Sequence, residues 1–267
     1  MMRGASADAL ADLSENLGKT RTLADAATIG EQLFGAARVL RNEAALRRVA
    51  TDNSIEDEAK TGLVQTIFGS ALDDGTLRVV TDAVHHRWTL SRDLPDALEY
   101  LGVVSLVRSA GKDGDRISDE LFAVRQLIDS DAELRTALSD PSRSAEDRNG
   151  LLGGLLDGQT LPATSQLVAQ AVAGTQGTVD AALKDYQDVA ADAQGETIAT
   201  VRTARELSAK DQQRLSAALG KQYDTDVHLH VVVDPDLVGG LRIEIRDDVI
   251  DGTVVSRLDD ARRRLAG

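Results

Sequence analysis

Apolar residues recur along the first two thirds of the chain at the spacing of one helix face. Leu10, Leu13 and Leu17 make one such stripe, and Ile29, Leu33, Ala37 and Leu40 the next. Leu63, Ile67 and Phe68 follow a polar start at Ser54, with Glu56 and Glu58 where the helix dipole favours negative charge. Val79, Val80, Ala83 and Val84 form another stripe, and Leu94, Leu98, Leu101 and Val104 a further one. The pattern predicts about six short helices packed as a bundle.

Displacing the sequence by 88 places sets Ile29 on Ile117 and carries the register through the following turns without a gap. Leu33 meets Leu121, Phe34 meets Phe122, Glu58 meets Glu146, and Val80 and Val84 meet Val168 and Val172. About a quarter of the paired positions are identical, and most mismatches keep the apolar pattern. Ser109 to Asp115, with two glycines and several charges, interrupts the period between the copies. After Gly195 the pattern changes. Thr197 to Ala204 reads as a strand, and Ser208 with Asp211 resembles a capping box that opens a helix. Asp226 to Val233 and Leu241 to Ile245 alternate as strands, and Val254, Leu258, Ala261 and Leu265 mark a last helix. The expected fold is mainly α. It comprises a helical bundle over residues 1–112, a second, homologous bundle over 113–195 and a small α+β domain over 196–267.

Composition narrows the function. Of 267 residues, 42% are hydrophobic but only 3% aromatic, so the core must be aliphatic and closely packed. The chain has no cysteine, which excludes disulfides, thiolate metal sites and a cysteine nucleophile, and fits a reducing cytoplasm. A net charge of -14 disfavours nucleic acid and anionic lipid. The start, Met1-Met2-Arg3-Gly4-Ala5-Ser6, lacks an apolar leader, and no run approaches the roughly 20 apolar residues that span a bilayer, so a soluble chain is expected.

Three clusters are candidates for chemistry. His228 and His230 lie two apart on a strand, so both could reach one metal ion with Asp234 completing the set. The opposing expectation is that Val227, Leu229, Val231 and Val233 form the buried face and the histidines are solvated. His85 and His86, adjacent on a helix, diverge by about 100° and cannot chelate together. Gly239-Gly240 precedes a strand where a phosphate cradle would follow one, which favours a close backbone approach or a bulge. Asp247, Asp248 and Asp251 could serve acid/base work, but read more simply as a hairpin turn and a helix cap, with Thr253 the alternative cap. Arg262-Arg263-Arg264 pairs with Asp259 and Asp260 at i, i+4. No cofactor is implied.

The stretch Val231-Val232-Val233-Asp234-Pro235-Asp236-Leu237-Val238-Gly239-Gly240-Leu241-Arg242-Ile243, followed by Val249-Ile250-Asp251-Gly252-Thr253, resembles the delta subunit family of F-type ATP synthase, the oligomycin-sensitivity-conferring protein family. Glu133-Leu134-Arg135-Thr136-Ala137-Leu138 is similar to that family's helical domain. Two bundles instead of one make the layout similar to actinobacterial members, and Arg3-Gly4-Ala5 stands where an aromatic is usual.

The resemblance implies a non-catalytic stator subunit of the peripheral stalk. It would link the catalytic alpha/beta head to a b-type stalk subunit, so that proton transport drives ATP synthesis. N-terminal segments of alpha subunits would dock on the helical part, and the chain would sit at the cytoplasmic face of the membrane only through the complex. Val79, Val80 and Val84, or their copies Val168 and Val172, are the candidate docking stripe, while Gly239, Gly240, Asp251 and Gly252 are signature positions with structural roles. The alternatives are a metal-dependent hydrolase using His228, His230 and Asp234, and a helical adaptor outside the synthase.

Overall fold

The computed structural model describes residues 2–17, 23–140, 142–174, 177–254 and 256. They form two compact units, Met1–Ala190 and Ala191–Gly267.

The first unit begins with α1 (Ala5–Leu17), α2 (Leu23–Asn42), α3 (Ala44–Ala50), α4 (Asp57–Phe68), α5 (Asp74–His85) and α6 (Asp93–Ser109). A 3-10 turn, Gly111–Asp113, leads into α7 (Gly114–Ser130), α8 (Ala132–Ser139), α9 (Ala145–Leu156), α10 (Pro162–Ala173) and α11 (Val179–Gln194). The boundary expected at 112/113 thus falls at a tight turn within one compact unit. Two apolar cores lie inside. Leu13, Leu33, Leu40, Val80 and Leu101 belong to the first, and Leu121, Leu138, Leu152, Leu167 and Val172 to the second. α2 and α6 approach closely because Gly30 and Gly102 face each other: a Cβ on Gly102 would lie 2.6 Å from Phe34 Cε1.

The 88-residue register extends to individual hydrogen bonds. The limits of α9 and α10 are those of α4 and α5 moved by that offset. Asp52 accepts from the Ser54 N–H and hydroxyl at 2.8 and 2.7 Å, and Asp140 accepts from Ser142 at 2.9 and 2.7 Å. Arg47 donates to the Arg41 carbonyl at 2.7 Å, and Arg135 to the Asp129 carbonyl at 2.7 Å. Gln32 accepts from the Asp73 N–H at the start of α5, and Glu120 from the Leu161 N–H at the start of α10. Exposed apolar positions recur as well, Val39 with Leu127 and Ile67 with Leu155.

These paired features make two expectations measurable. Glu120 also accepts from the buried Thr164 hydroxyl at 2.6 Å. Glu120→Ala leaves both donors without that acceptor and should cost about 2 kcal/mol. Gln32→Ala, which uncovers only an exposed N–H, should cost less; denaturant midpoints of the two variants compare them. The Asp52 and Asp140 carboxyls are held below their ordinary value of 3.8, first by the serine hydroxyl and then by its N–H. The sign follows: these turns contribute stability above the ordinary carboxylate range and lose it as pH falls through the depressed values. Ser54→Ala and Ser142→Ala should therefore flatten the acid limb of a pH–stability curve.

The second unit contains β1 (Glu196–Thr203), α12 (Ala209–Tyr223), β2 (Asp226–Val233), β3 (Leu241–Ile245) and β4 (Asp248–Asp251). The sheet order is β2-β1-β3-β4, with β1 and β2 parallel and the other two pairings antiparallel. The parallel pair requires a crossover, which α12 supplies, with Ser208 as N-cap accepting from the Asp211 N–H at 3.2 Å. Ala199, Val201, Leu219, Val227, Ile243 and Ile245 form the core between helix and sheet. Two sequence expectations change. The β3–β4 turn falls at Arg246-Asp247, and Asp248 already belongs to β4. Of the last helix, Val254 and Ser256 are helical, while Leu258, Ala261, Leu265 and the Arg262 to Arg264 run lie outside the described residues.

Candidate functional site

The histidine cluster is placed differently from either expectation. Val227, Leu229 and Val231 do pack on the α12 side of the sheet, but Val233 is 46% exposed at the strand end. His230 is only 3% exposed, which corrects the solvated reading. Parallel register sets His228 opposite Ile198 and His230 opposite Thr200 on the interior strand β1, and Ile198 on that face is buried as well. The two rings pack edge to face with centroids 5.0 Å apart. Asp234 is engaged in the turn after β2: its side chain accepts from the Asp236 N–H at 3.0 Å, and its own N–H donates to Thr203. One of its carboxylate oxygens thus serves local backbone.

The glycines and acids after β2 form one backbone lock. Gly240 has φ +88, and a Cβ there would lie 2.4 Å from the Gly252 carbonyl oxygen and 2.7 Å from Thr253 Cα. Leu241 accepts from the Gly252 N–H at 2.9 Å, and Gly239 from the Val254 N–H at 3.0 Å. The Asp251 side chain accepts from the Thr253 N–H at 2.9 Å, the contact that chiefly holds its carboxyl below the ordinary range. Thr253 in turn accepts from the Ser256 N–H at 3.2 Å. Glycines and aspartate together tie the start of β3 to the segment entering the final helix.

Of the valine stripe, Val80, Val84, Val168 and Val172 are all at most 2% exposed inside their own cores. Val79 alone is half-buried at the surface of the first core. A partner cannot reach the four buried members while the cores stay closed. Their helical periodicity reported core packing, as a stripe on a bundle helix commonly does.

The polar chemistry inside the helical unit joins helices. Arg41 of α2 pairs with Glu99 and, at 2.9 Å, with Asp96 of α6. The Tyr186 hydroxyl of α11 donates to Glu99. Burial works against the Arg41 charge, yet bonds to Asp96 and Glu99 outweigh it and raise its pKa. Burial first, and then the Glu99 charge, push the Tyr186 phenol up, so it stays a neutral donor. Arg125 of α7 similarly holds Asp180 at 2.7 Å and Gln187 at 3.3 Å. These residues escaped sequence reasoning because their partners lie tens of positions away. A charged residue on an otherwise apolar face, such as Glu99 between Leu98 and Leu101, was the one available signal. The Lys60 ammonium, also buried, donates to the last turn of α5 at the Val84 carbonyl, 3.0 Å away.

The model of the ATP synthase delta (OSCP) subunit matches residues 103–265. An ATP synthase subunit delta from Nocardioides sp. is 53% identical, with 100% of this chain and 98% of that one aligned. The Streptomyces coelicolor protein of the same name is 38% identical over 99% and 98% of the two chains, and that of Thermobifida fusca 36% identical over 100% of both. A chain of the Toxoplasma gondii mitochondrial ATP synthase hexamer aligns loosely, at TM-score 0.36 and 23% identity over 62% of this chain and 95% of that one. By identity sustained over its whole length, the chain belongs to the ATP synthase delta (OSCP) subunit family.

Proposed function

We propose how the chain, a stator subunit of the peripheral stalk by family, divides its work. The helical unit holds N-terminal segments of alpha subunits on the catalytic head. The α+β unit holds the C-terminal part of a b-type stalk subunit, and the chain reaches the cytoplasmic face of the membrane through that assembly. No helix among the described residues is long and apolar enough to cross a membrane itself. The metal-dependent hydrolase reading is not supported, because the family is a structural one and Asp234 is tied into its own turn.

The observation that carries the reading is full-length identity to subunits of that name. The interior supports it. A stator that resists torque needs helices that do not slide, and the Arg41–Glu99–Tyr186 link fastens α2, α6 and α11. Buried partners of this kind are screened less by salt than surface ion pairs. No step in such a role breaks a bond, so the proposal is a non-catalytic one. The division is tested by immobilising two peptides, one from the N-terminus of an alpha subunit and one from the C-terminus of the stalk partner, and presenting the chain to each. Retention on both is expected, and retention on neither ends the proposal. Purified chain should also carry no stoichiometric metal by elemental analysis, and one tightly held ion per chain would reopen the hydrolase reading.

A further inference from the structure

The two copies of the helical repeat fasten equivalent helices differently. In the first copy the buried Lys60 ammonium of α4 donates to the Val84 carbonyl of α5 at 3.0 Å, and a ring nitrogen of His85 in α5 lies 2.9 Å from the Thr61 hydroxyl of α4. Neither tie recurs between α9 and α10. At the 88-residue offset the place of Lys60 is taken by Arg148, which donates instead to the Leu138 carbonyl of α8 at 3.4 Å, and that of His85 by Ala173, which has no polar side chain.

Packing and helix strength differ in the same direction. α9 and α10 border a cleft of about 490 Å³ whose lining includes Gly153, Leu156, Thr160 and Ser165. The first copy holds the larger Gln65, Phe68, Leu72 and Leu77 at those positions, and the last three pack in or against its core. Gly153 and Gly154 also stand where α4 has Gln65 and Thr66, so α9 carries three glycines in its twelve residues and α4 one. Glycine inside a helix loses the most chain entropy on ordering and leaves backbone open to water. Packing does not demand these two, since a Cβ on either would meet no packed neighbour within 4 Å. The weakness lies at one end of α9. Ser144 caps its first turn, accepting from the Asp147 N–H at 3.0 Å, whereas the last turn runs out through Asp157 into Gly158 at φ +70.

We infer that the second half of α9, Gly150 to Leu156, is a latch that opens away from α10 while the equivalent part of α4 stays shut, so that the helical unit gives way locally in one copy and not in the other. The hinge follows Asn149. Opening lifts Leu152 and Leu156 out of the second core and uncovers Val168, while the capped first turn and the Arg148 contact to α8 stay in place.

Hydrogen exchange on the purified full chain tests this without any partner, so its outcome is independent of the function proposed above. Protection factors of the amides of 150–156 are expected to be about tenfold or more below those of 62–68, their counterparts in α4, and below those of α10. Gly153→Ala with Gly154→Ala should raise protection of 150–156 about tenfold or more and leave 62–68 unchanged, because both glycines are removed without a clash. The reciprocal change, Gln65→Gly with Thr66→Gly, should lower protection of 62–68. Equal protection of the two segments in the unaltered chain, or a double alanine variant no better protected than it, would overturn the inference. So would an α10 no better protected than 150–156, which would mean that the second copy opens as a whole.

Discussion

Arg41→Ala is expected to destabilise the helical unit by about 3 to 5 kcal/mol, the usual cost of removing one member of a buried ion pair. Arg41 and Glu99 are 14% and 7% exposed, so the pair is largely withdrawn from water. Tyr186 would remain a donor to Glu99 but carries no charge to balance it. Replacing both partners by apolar groups behaves differently. Arg41→Met with Glu99→Leu should recover most of the loss, because the uncompensated charge is gone. Denaturant unfolding of the two variants separates these outcomes, and a double variant no better than Arg41→Ala would show that packing of the arginine stem dominates. Tyr186→Phe should cost about 1 kcal/mol, one hydrogen bond, and gives the scale for the network.

Gly240→Ala should cost the α+β unit about 3 kcal/mol. A left-handed φ of +88 is strained for any residue with a side chain, at roughly 1 to 2 kcal/mol. The added carbon would also meet the backbone of Gly252 and Thr253, which cannot rotate away as a side chain could. The local readout is hydrogen exchange at Gly252 and Val254, whose N–H groups bond across to Leu241 and Gly239. Gly239→Ala, where the nearest atom is the Val254 side chain at 3.3 Å, should be milder. Equal effects at the two positions would contradict the backbone lock.

Much of the architecture was legible because period and punctuation agree. Helical stripes gave the bundle helices, the 88-residue register anticipated α7 to α10, and Ser208 with Asp211 marked the start of α12. What sequence missed is long-range. Periodicity shows that Val80 and Val168 face inward, but not that they face so fully inward that a partner cannot touch them. Alternation on β2 identified the α12-facing side correctly, yet took the other side as wet, where His230 and Ile198 are buried, because alternation shows which residues share a face and not whether that face meets solvent. The short strand β4, with every residue exposed, has no core-facing alternation to find, and the sequence reading placed Asp248 in a turn and Asp251 at a helix cap with no strand between them. The links from Arg41 to Glu99 and from Glu120 to Leu161 depend on which helices meet, which local spacing does not contain.

The central claim, that this protein couples rotation to catalysis by holding the head still, is tested most directly in inverted membrane vesicles stripped of the chain and then given it back. ATP hydrolysis should continue in the stripped vesicles while ATP-driven proton pumping is lost, and adding the purified chain should restore pumping. Pumping that persists at its full rate without the chain would contradict the claim.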